Sequence, residues 1–524
     1  MEEPAPAGST KLAVLLAMAM FVLVFDTSLM NVSISYVVAD LHSTASGVQG
    51  TIALEALVSA AFILIGSKIG DLFGRKRAYV LGLLGYAAGA AAMTVSDSLT
   101  PVIIFWAVIG GLGASLLLPA MQSLIHGNFS GPMQRRAYAL VGASAAIAAA
   151  VGPLLGGFIT TYLSWRLGFA LELLIIAIVL INVRLIHDVP YTGLRQIDPV
   201  GAVLSAVGMG GIVLGIIVWQ EGGGAVGALL GVGVAGVASL VWWLRRRKRA
   251  GKAVLLDPGL FALKGFRLGI SGQTLQQISL GGLMIVLPIY LQMVFEYSAM
   301  GAGLTIAPLS LGMFATALVA GKRAGRRRPA TLIRAGFALL VIGVAVLIPV
   351  IPRADNGWPL LLPLLVAGIG LGLLVSQLNN YTLSPIEEER VSEAAGVNSA
   401  GGSFGLSFGL AFAGAIMLMT LSWSFTNKAN DSDVLSPRQQ DQVAHVLEHD
   451  AQVISNTQLE ELLKGKPPAV QDEIVRINDE ARHDALQIAL IVPLLAALIG
   501  FLIAFRMMRL PDPKPSEAAE MALV

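Results

Sequence analysis

Three carboxylates stand where a carboxylate is costly. Asp26 lies in the apolar run 12–36, Glu55 in the run 49–68 and Glu172 in the run 168–187. An acid inside a stretch of membrane-spanning length costs at least about 2.5–3.5 kcal/mol by insertion scales and is functional by default. No basic residue sits at the same depth in these three runs. Low dielectric favours the neutral form of an unpaired carboxyl, which can then take up and release a proton near neutral pH. The same group attracts a cation, so one site can couple proton and cation by competition. Asp26 lies about ten residues from the end of its run, roughly 15 Å, and Glu55 about six residues in, roughly 9 Å. Acids that share a vestibule titrate as a coupled pair. Two of them have a plainer reading. Asp26 can accept a hydrogen bond from Thr27, Ser28 or Asn31, and Glu172 can pair with Arg166 near the boundary of its run.

The surroundings fit a membrane. The chain has 524 residues, 55% hydrophobic and 13% charged, with mean hydropathy +0.75. Soluble proteins carry about 25% charged residues. The composition therefore gives an all-α integral membrane protein, with 58 glycines to let spanning helices approach closely. There is no cysteine, which excludes disulfides and thiolate chemistry, and the six histidines are scattered, so no metal site is expected. No glycine-rich loop ends in Gly-Lys-Ser/Thr, so ATP does not drive the protein, and no cofactor is expected. The first apolar run is longer than a signal-peptide core and lacks a basic start, so it reads as a first span.

A span needs about 20 apolar residues. Fourteen stretches qualify, the last at about 485–505. Charge orients them. With the N-terminus cytoplasmic, 27 of the 35 basic residues fall in inside segments, and short outside loops hold only Arg166 and Arg353. That asymmetry puts both termini in the cytoplasm, in a multi-pass inner-membrane protein. The basic cluster at Arg245–Arg249 reads as a contact to anionic lipid headgroups and excludes nucleic acid as the better partner. Residues 423–484 are polar. Ser436-Pro437 with Gln439 signals a helix start, and a second helical pattern runs from about Ala469 to Ala485. A helical hairpin outside the membrane is expected there, as a lid over the outer ends, a gate, or a docking surface for an envelope partner.

Between the second and third spans the chain reads Gly66-Ser67-Lys68-Ile69-Gly70-Asp71-Leu72-Phe73-Gly74-Arg75-Lys76-Arg77. Asp71 can bond a basic residue across this loop and face a helix N-terminus, a contact that must break when two bundles rock apart. The fifth span carries Gly142 and then Gly152-Pro153-Leu154-Leu155-Gly156-Gly157, a kinked and closely packed helix, followed by Ser164-Trp165-Arg166. With the opening Asp26-Thr27-Ser28-Leu29-Met30-Asn31-Val32, these runs resemble the major facilitator superfamily, in its fourteen-span drug:proton antiporter branch (EmrB/QacA-like). The resemblance covers nearly the whole chain. Where many members have Trp and Tyr in span two, this chain has Gly50 and Glu55. Where they have Arg and Gln in span four it has Ala107 and Gly110, and where they often have Asn in span six it has Glu172. In relatives the span-four Arg is tied to proton coupling.

The resemblance implies two six-span bundles, 1–190 and 253–524, flanking two inserted helices in 191–252, with a site near the midplane between the bundles. It implies a monomeric antiporter, not an enzyme, exporting lipophilic, cationic compounds against protons by alternating access. Asp26, Glu55 and Glu172 would couple protons or hold substrate. Gly66, Gly70, Asp71, Gly74, Arg75 and Lys76 would form a conformational latch, and Gly142, Gly152, Pro153, Gly156 and Gly157 the antiporter motif. Gln273, Gln276, Gln277 and Gln292 are candidates for the substrate cavity, or for hydrogen bonds between helices. Three other readings stay open: an exporter of one metabolite, lipid or siderophore, a proton-independent facilitator, and a non-transporting assembly or sensor protein.

Overall fold

The computed structural model describes residues 9–129, 131–188, 198–220, 224–252, 254–322, 328–386, 390–436, 440, 459 and 463–511. The regular structure among them is all helical, with no strand. The first helices are α1 (Thr10–Asp40), α2 (Ala45–Phe73) and α3 (Arg75–Val95). Next comes α4, which joins Leu99–Pro101, a π-helical stretch Val102–Gly110, and Gly111–Asn128. Then follow α5 (Gly131–Tyr162), α6 (Trp165–Ile181), α7 (Pro199–Gln220) and α8 (Val226–Arg249). The rest are α9 (Lys264–Met293), α10 (Ala299–Lys322), α11 (Pro329–Val350), α12 (Leu361–Leu383), α13 (Val391–Asn430), α14 (Pro468–Ala489) and α15 (Ile491–Met508).

Local chemistry starts the helices where the apolar runs begin. The Ser9 hydroxyl accepts from the Leu12 amide at 3.2 Å and Thr44 from Gly47 at 3.0 Å. Asp198 accepts from Gly201 at 3.0 Å at the start of α7. Each satisfies an amide that has no partner inside its helix.

Among the described residues, thirteen helical stretches are long and apolar enough to cross a bilayer, α14 and α15 counting as one. α6, of 17 residues, is shorter than these. Its first turn is tied to Asp40 at the end of α1, through Trp165 Nε1 at 2.8 Å and Arg166 at 2.5 Å. Its far end leads to His187, whose amide donates to Asn128 at the end of α4. The helix therefore runs from one face to the other. The face on which α1 starts and α15 ends is here the terminal face; the opposite one, where α13 ends and α14 starts, is the loop face.

Two groups of helices meet along two seams. α2 packs against α13, and α5 against α10. α7 packs on both α2 and α13, while α8 packs on α7. A Cβ added at Gly211 would stand 2.7 Å from Gly233 Cα, so the α7–α8 pair touches backbone to backbone.

The excursion on the loop face departs from expectation in its bounds. α13 continues past the apolar run to Asn430 because its last turns are paired. Ser424 donates to Asp484 at 2.8 Å, Lys428 to Glu480 at 2.9 Å and Ser432 to Glu473 at 2.6 Å, all on α14. The second helical pattern forms α14, which ends at Ala489, inside the stretch expected to begin the last span. The expected helix start at Pro437 and Gln439 lies outside the described residues.

Candidate functional site

Asp26, at 1% exposure, sits in the middle of α1 and meets α3 and α4. The Trp106 indole N–H donates to both carboxylate oxygens, at 3.0 Å each. The Tyr86 hydroxyl donates to Oδ2. Trp106 stands on the π-helical stretch of α4, an irregularity that re-aims side chains and recurs at functional sites. Its indole meets the Phe169 ring edge-on at 6.5 Å, and Phe169 lies three residues before Glu172 on α6.

Glu172 is 1% exposed and neither of its oxygens has a hydrogen-bond partner. Arg166 does not neutralise it; that guanidinium is engaged by Asp40 and by the Ser96 carbonyl at 2.9 Å. Glu55 is 8% exposed on α2, where α4 comes close: a Cβ at Gly111 would stand 2.8 Å from the Glu55 carbonyl oxygen. Asp26 acts electrostatically on both Glu55 and Glu172, and Tyr86 feels all three acids. No Lys, Arg or His among the described residues acts appreciably on any of them. The structure thus gathers the three acids from α1, α2 and α6 into one buried cluster. Tyr86 and Trp106 were missed from sequence. The one available signal is general: a buried Tyr or Trp finds a partner for its polar tip.

The loop between α2 and α3 turns at Gly74, with φ +102, a conformation that disfavours a side chain. A Cβ there would also stand 2.6 Å from an Asp188 oxygen. The Lys76 amide donates to Asp188 at 3.0 Å and its ammonium to the Ile186 carbonyl at 2.7 Å. Asp188 was not anticipated. Arg75 has a partner as well. Gly66 packs on the Ser115 backbone of α4, and Gly70 faces Ala78. The Asp71 side chain lies outside the described residues.

Gly152 and Gly156 press α5 onto Ser28 and Leu29 of α1, and Gly157 meets Ala299 of α10. The Pro153 carbonyl faces Gly303 of α10, where a Cβ would come within 2.2 Å. Gly142 has open space around it. The glutamines separate. Gln292 ties the two groups of helices, accepting from Ser35 at 2.5 Å and donating to the Val32 carbonyl at 3.1 Å. Gln273 and Gln277 face Gly402 of α13, and Gln276 is 1% exposed with both amide atoms unpartnered. More bonds close the loop face: Met300 N to Thr161 at 2.9 Å and Ser407 to the Ala53 carbonyl at 2.7 Å. Among the described residues no His, Asp and Glu group is arranged to hold a metal.

The comparisons agree with this architecture. The chain is 31% identical over 418 residues to the puromycin resistance protein of Streptomyces alboniger, covering 77% of this chain and 81% of that one. It is 26% identical to a probable actinorhodin transporter of Streptomyces coelicolor, covering 78% and 72%. It is also 26% identical to the multidrug resistance protein Stp of Mycobacterium tuberculosis, covering 79% and 77%. Among solved structures, a bacterial homologue of the lysosomal transporter Spinster, inward-facing and unoccupied, superposes with TM-score 0.61 at 14% identity, covering 97% and 100%. A peptide transporter in complex with sulfate gives 0.60 at 16%, covering 97% and 98%. At such identities these two speak for the fold alone. The family model of the Major Facilitator Superfamily matches residues 16–410, and the chain, a multi-span membrane transporter and not an enzyme, belongs to that superfamily.

Proposed function

We propose that this transporter exports lipophilic, cationic drugs in exchange for protons by alternating access. The observation that carries the reading is the buried cluster of Asp26, Glu55 and Glu172, on which no cation among the described residues acts appreciably. Such a cluster is stable only when protons or a bound cation compensate its charge. Exchange of one for the other is antiport. The relatives support drug export, being named for puromycin resistance and multidrug resistance. In this reading the two six-helix bundles rock about the α2–α13 and α5–α10 seams. The termini and the loop of Gly66 to Lys76 face the cytoplasm, and substrate leaves at the loop face as a gate opens. The protein works as a monomer in the lipid bilayer, and residues 423–484 offer a surface to an envelope partner.

A narrower substrate is the second reading. The actinorhodin transporter and a cephamycin export protein of Amycolatopsis lactamdurans, 29% identical, are named for single compounds. The test is proton-driven transport of ethidium in inverted vesicles, with Asp26→Asn and Glu55→Gln beside the parent. Gradient-dependent transport lost in either variant supports antiport. An inserted parent that moves no ethidium under a proton gradient sinks the multidrug reading and leaves the narrower one.

A further inference from the structure

The cluster does not treat its acids alike. Asp26 receives an indole N–H shared between both oxygens and a phenol O–H. Glu172, equally buried, receives nothing. The charged and titratable groups that act on it or feel it are Asp26 on α1 and Tyr86 on α3, and Tyr86 also feels Glu55 of α2. From α5, which also packs on α6, no titratable side chain among the described residues acts appreciably on it. On its own helix, Arg166 is committed to Asp40. A negative charge on Glu172 would have neither donor nor counter-ion, and would face a second carboxylate. A charge on Asp26 has donors already in place. A buried ion without partners is the costlier arrangement.

We propose that the two acids divide the work: Asp26, held by Tyr86 and Trp106, bears the negative charge, while Glu172 bears the exchangeable proton. This rests on the proton-coupled reading above. Glu172 gains its proton from water when the site opens to the loop face. It gives it to water when the site opens to the terminal face, where an arriving cation takes over the compensation of charge. On each side the carboxyl O–H bond forms or breaks as one O–H bond of a hydronium ion breaks or forms, and no other bond changes. Tyr86 and Trp106 are positioning residues. Trp106 also touches α6 through Phe169, so a shift of that helix reaches the donor of Asp26.

The test uses purified full-length protein in proteoliposomes, with ethidium as the probe. Two signals are read: proton release on substrate addition, and ethidium counterflow without a proton gradient. In Glu172→Gln, the number of protons released per ethidium moved falls at least about tenfold. In Trp106→Phe both signals persist, but the pH midpoint of transport moves upward, because the charge on Asp26 has lost a donor. Tyr86→Phe acts in the same direction. Glu172→Gln that releases protons like the parent overturns the division. Should that variant fail to insert, pH profiles of Trp106→Phe and Tyr86→Phe identical to the parent's overturn it instead. A parent that performs counterflow without releasing protons sinks the proton-coupled reading itself, a different failure.

Discussion

At the residue scale, carboxylates carry both the candidate chemistry and the joints. Asp257 is a joint on the terminal face. Lys248 and Arg390, the latter at 2.6 Å, both reach it, and the Gly259 amide donates to it at 2.7 Å. Burial pushes its carboxyl up, but the Lys248 hydrogen bond, the Gly259 amide and the Arg390 and Lys248 charges outweigh that and hold it below the ordinary carboxylate range. A depressed group contributes stability that is present above its unfolded value, about 3.9, and is lost as pH falls through the lower folded value. The partners are partly exposed, so the tie is worth at most about 1 kcal/mol. Asp257→Asn is therefore expected to lower Tm slightly at pH 7. That gap should close in acid, as scanning calorimetry or fluorescence melting would register; a constant gap would mean charge is not the cause. Legibility at this scale was one-sided. Asp26, Glu55 and Glu172 stood out because an acid is anomalous in an apolar run. Their surroundings did not, because Tyr86 and Trp106 look like ordinary lipid-compatible aromatics until α1, α3 and α4 are folded together.

At the scale of elements, the glycines decide how closely helices from the two groups approach. Gly303 lies against the Pro153 carbonyl, so any side chain there would separate α5 from α10 on the loop face. Such overpacking costs about 1–3 kcal/mol. Gly303→Ala should then shift the population toward a loop-face-open state. The chain has no cysteine, so a single cysteine placed at Thr161 reports without background. Faster labelling of it by an impermeant maleimide in Gly303→Ala is the expected outcome, and unchanged labelling would show that the seam does not gate. Gln292→Ala removes the bonds to Ser35 and Val32 and should act in the same sense. The apolar runs made these helices readable, including their order. The ends were less readable: α13 is prolonged by its bonds to acids on α14, partners some 50 residues away in sequence that no local pattern reveals.

At the scale of the whole molecule, the question is what α7 and α8 do. Most of α8 faces outward, with Val232, Val234 and Trp242 more than half exposed, and its support is α7. α7 in turn lies across α2 and α13, so the pair bridges the two groups of helices at one seam. Asp198 anchors it. This fully buried carboxylate accepts from Trp243 Nε1 at 3.0 and 3.2 Å, from Gly201 N at 3.0 Å and from Leu255 N at 3.4 Å, with Arg247 at 3.8 Å. One side chain thereby fixes the start of α7, the end of α8 and the chain leading to α9. Asp198→Ala would orphan buried donors at about 1–3 kcal/mol each. The expected result is a Tm several degrees lower for the purified protein, with Asp198→Asn intermediate because an amide oxygen still accepts. The direct contacts of α2 with α13 and of α5 with α10 do not pass through this anchor. Asp198→Ala should therefore still insert and still transport ethidium at temperatures below its Tm. Loss of transport in a protein that remains folded would instead make the inserted pair a working part of the rocking motion.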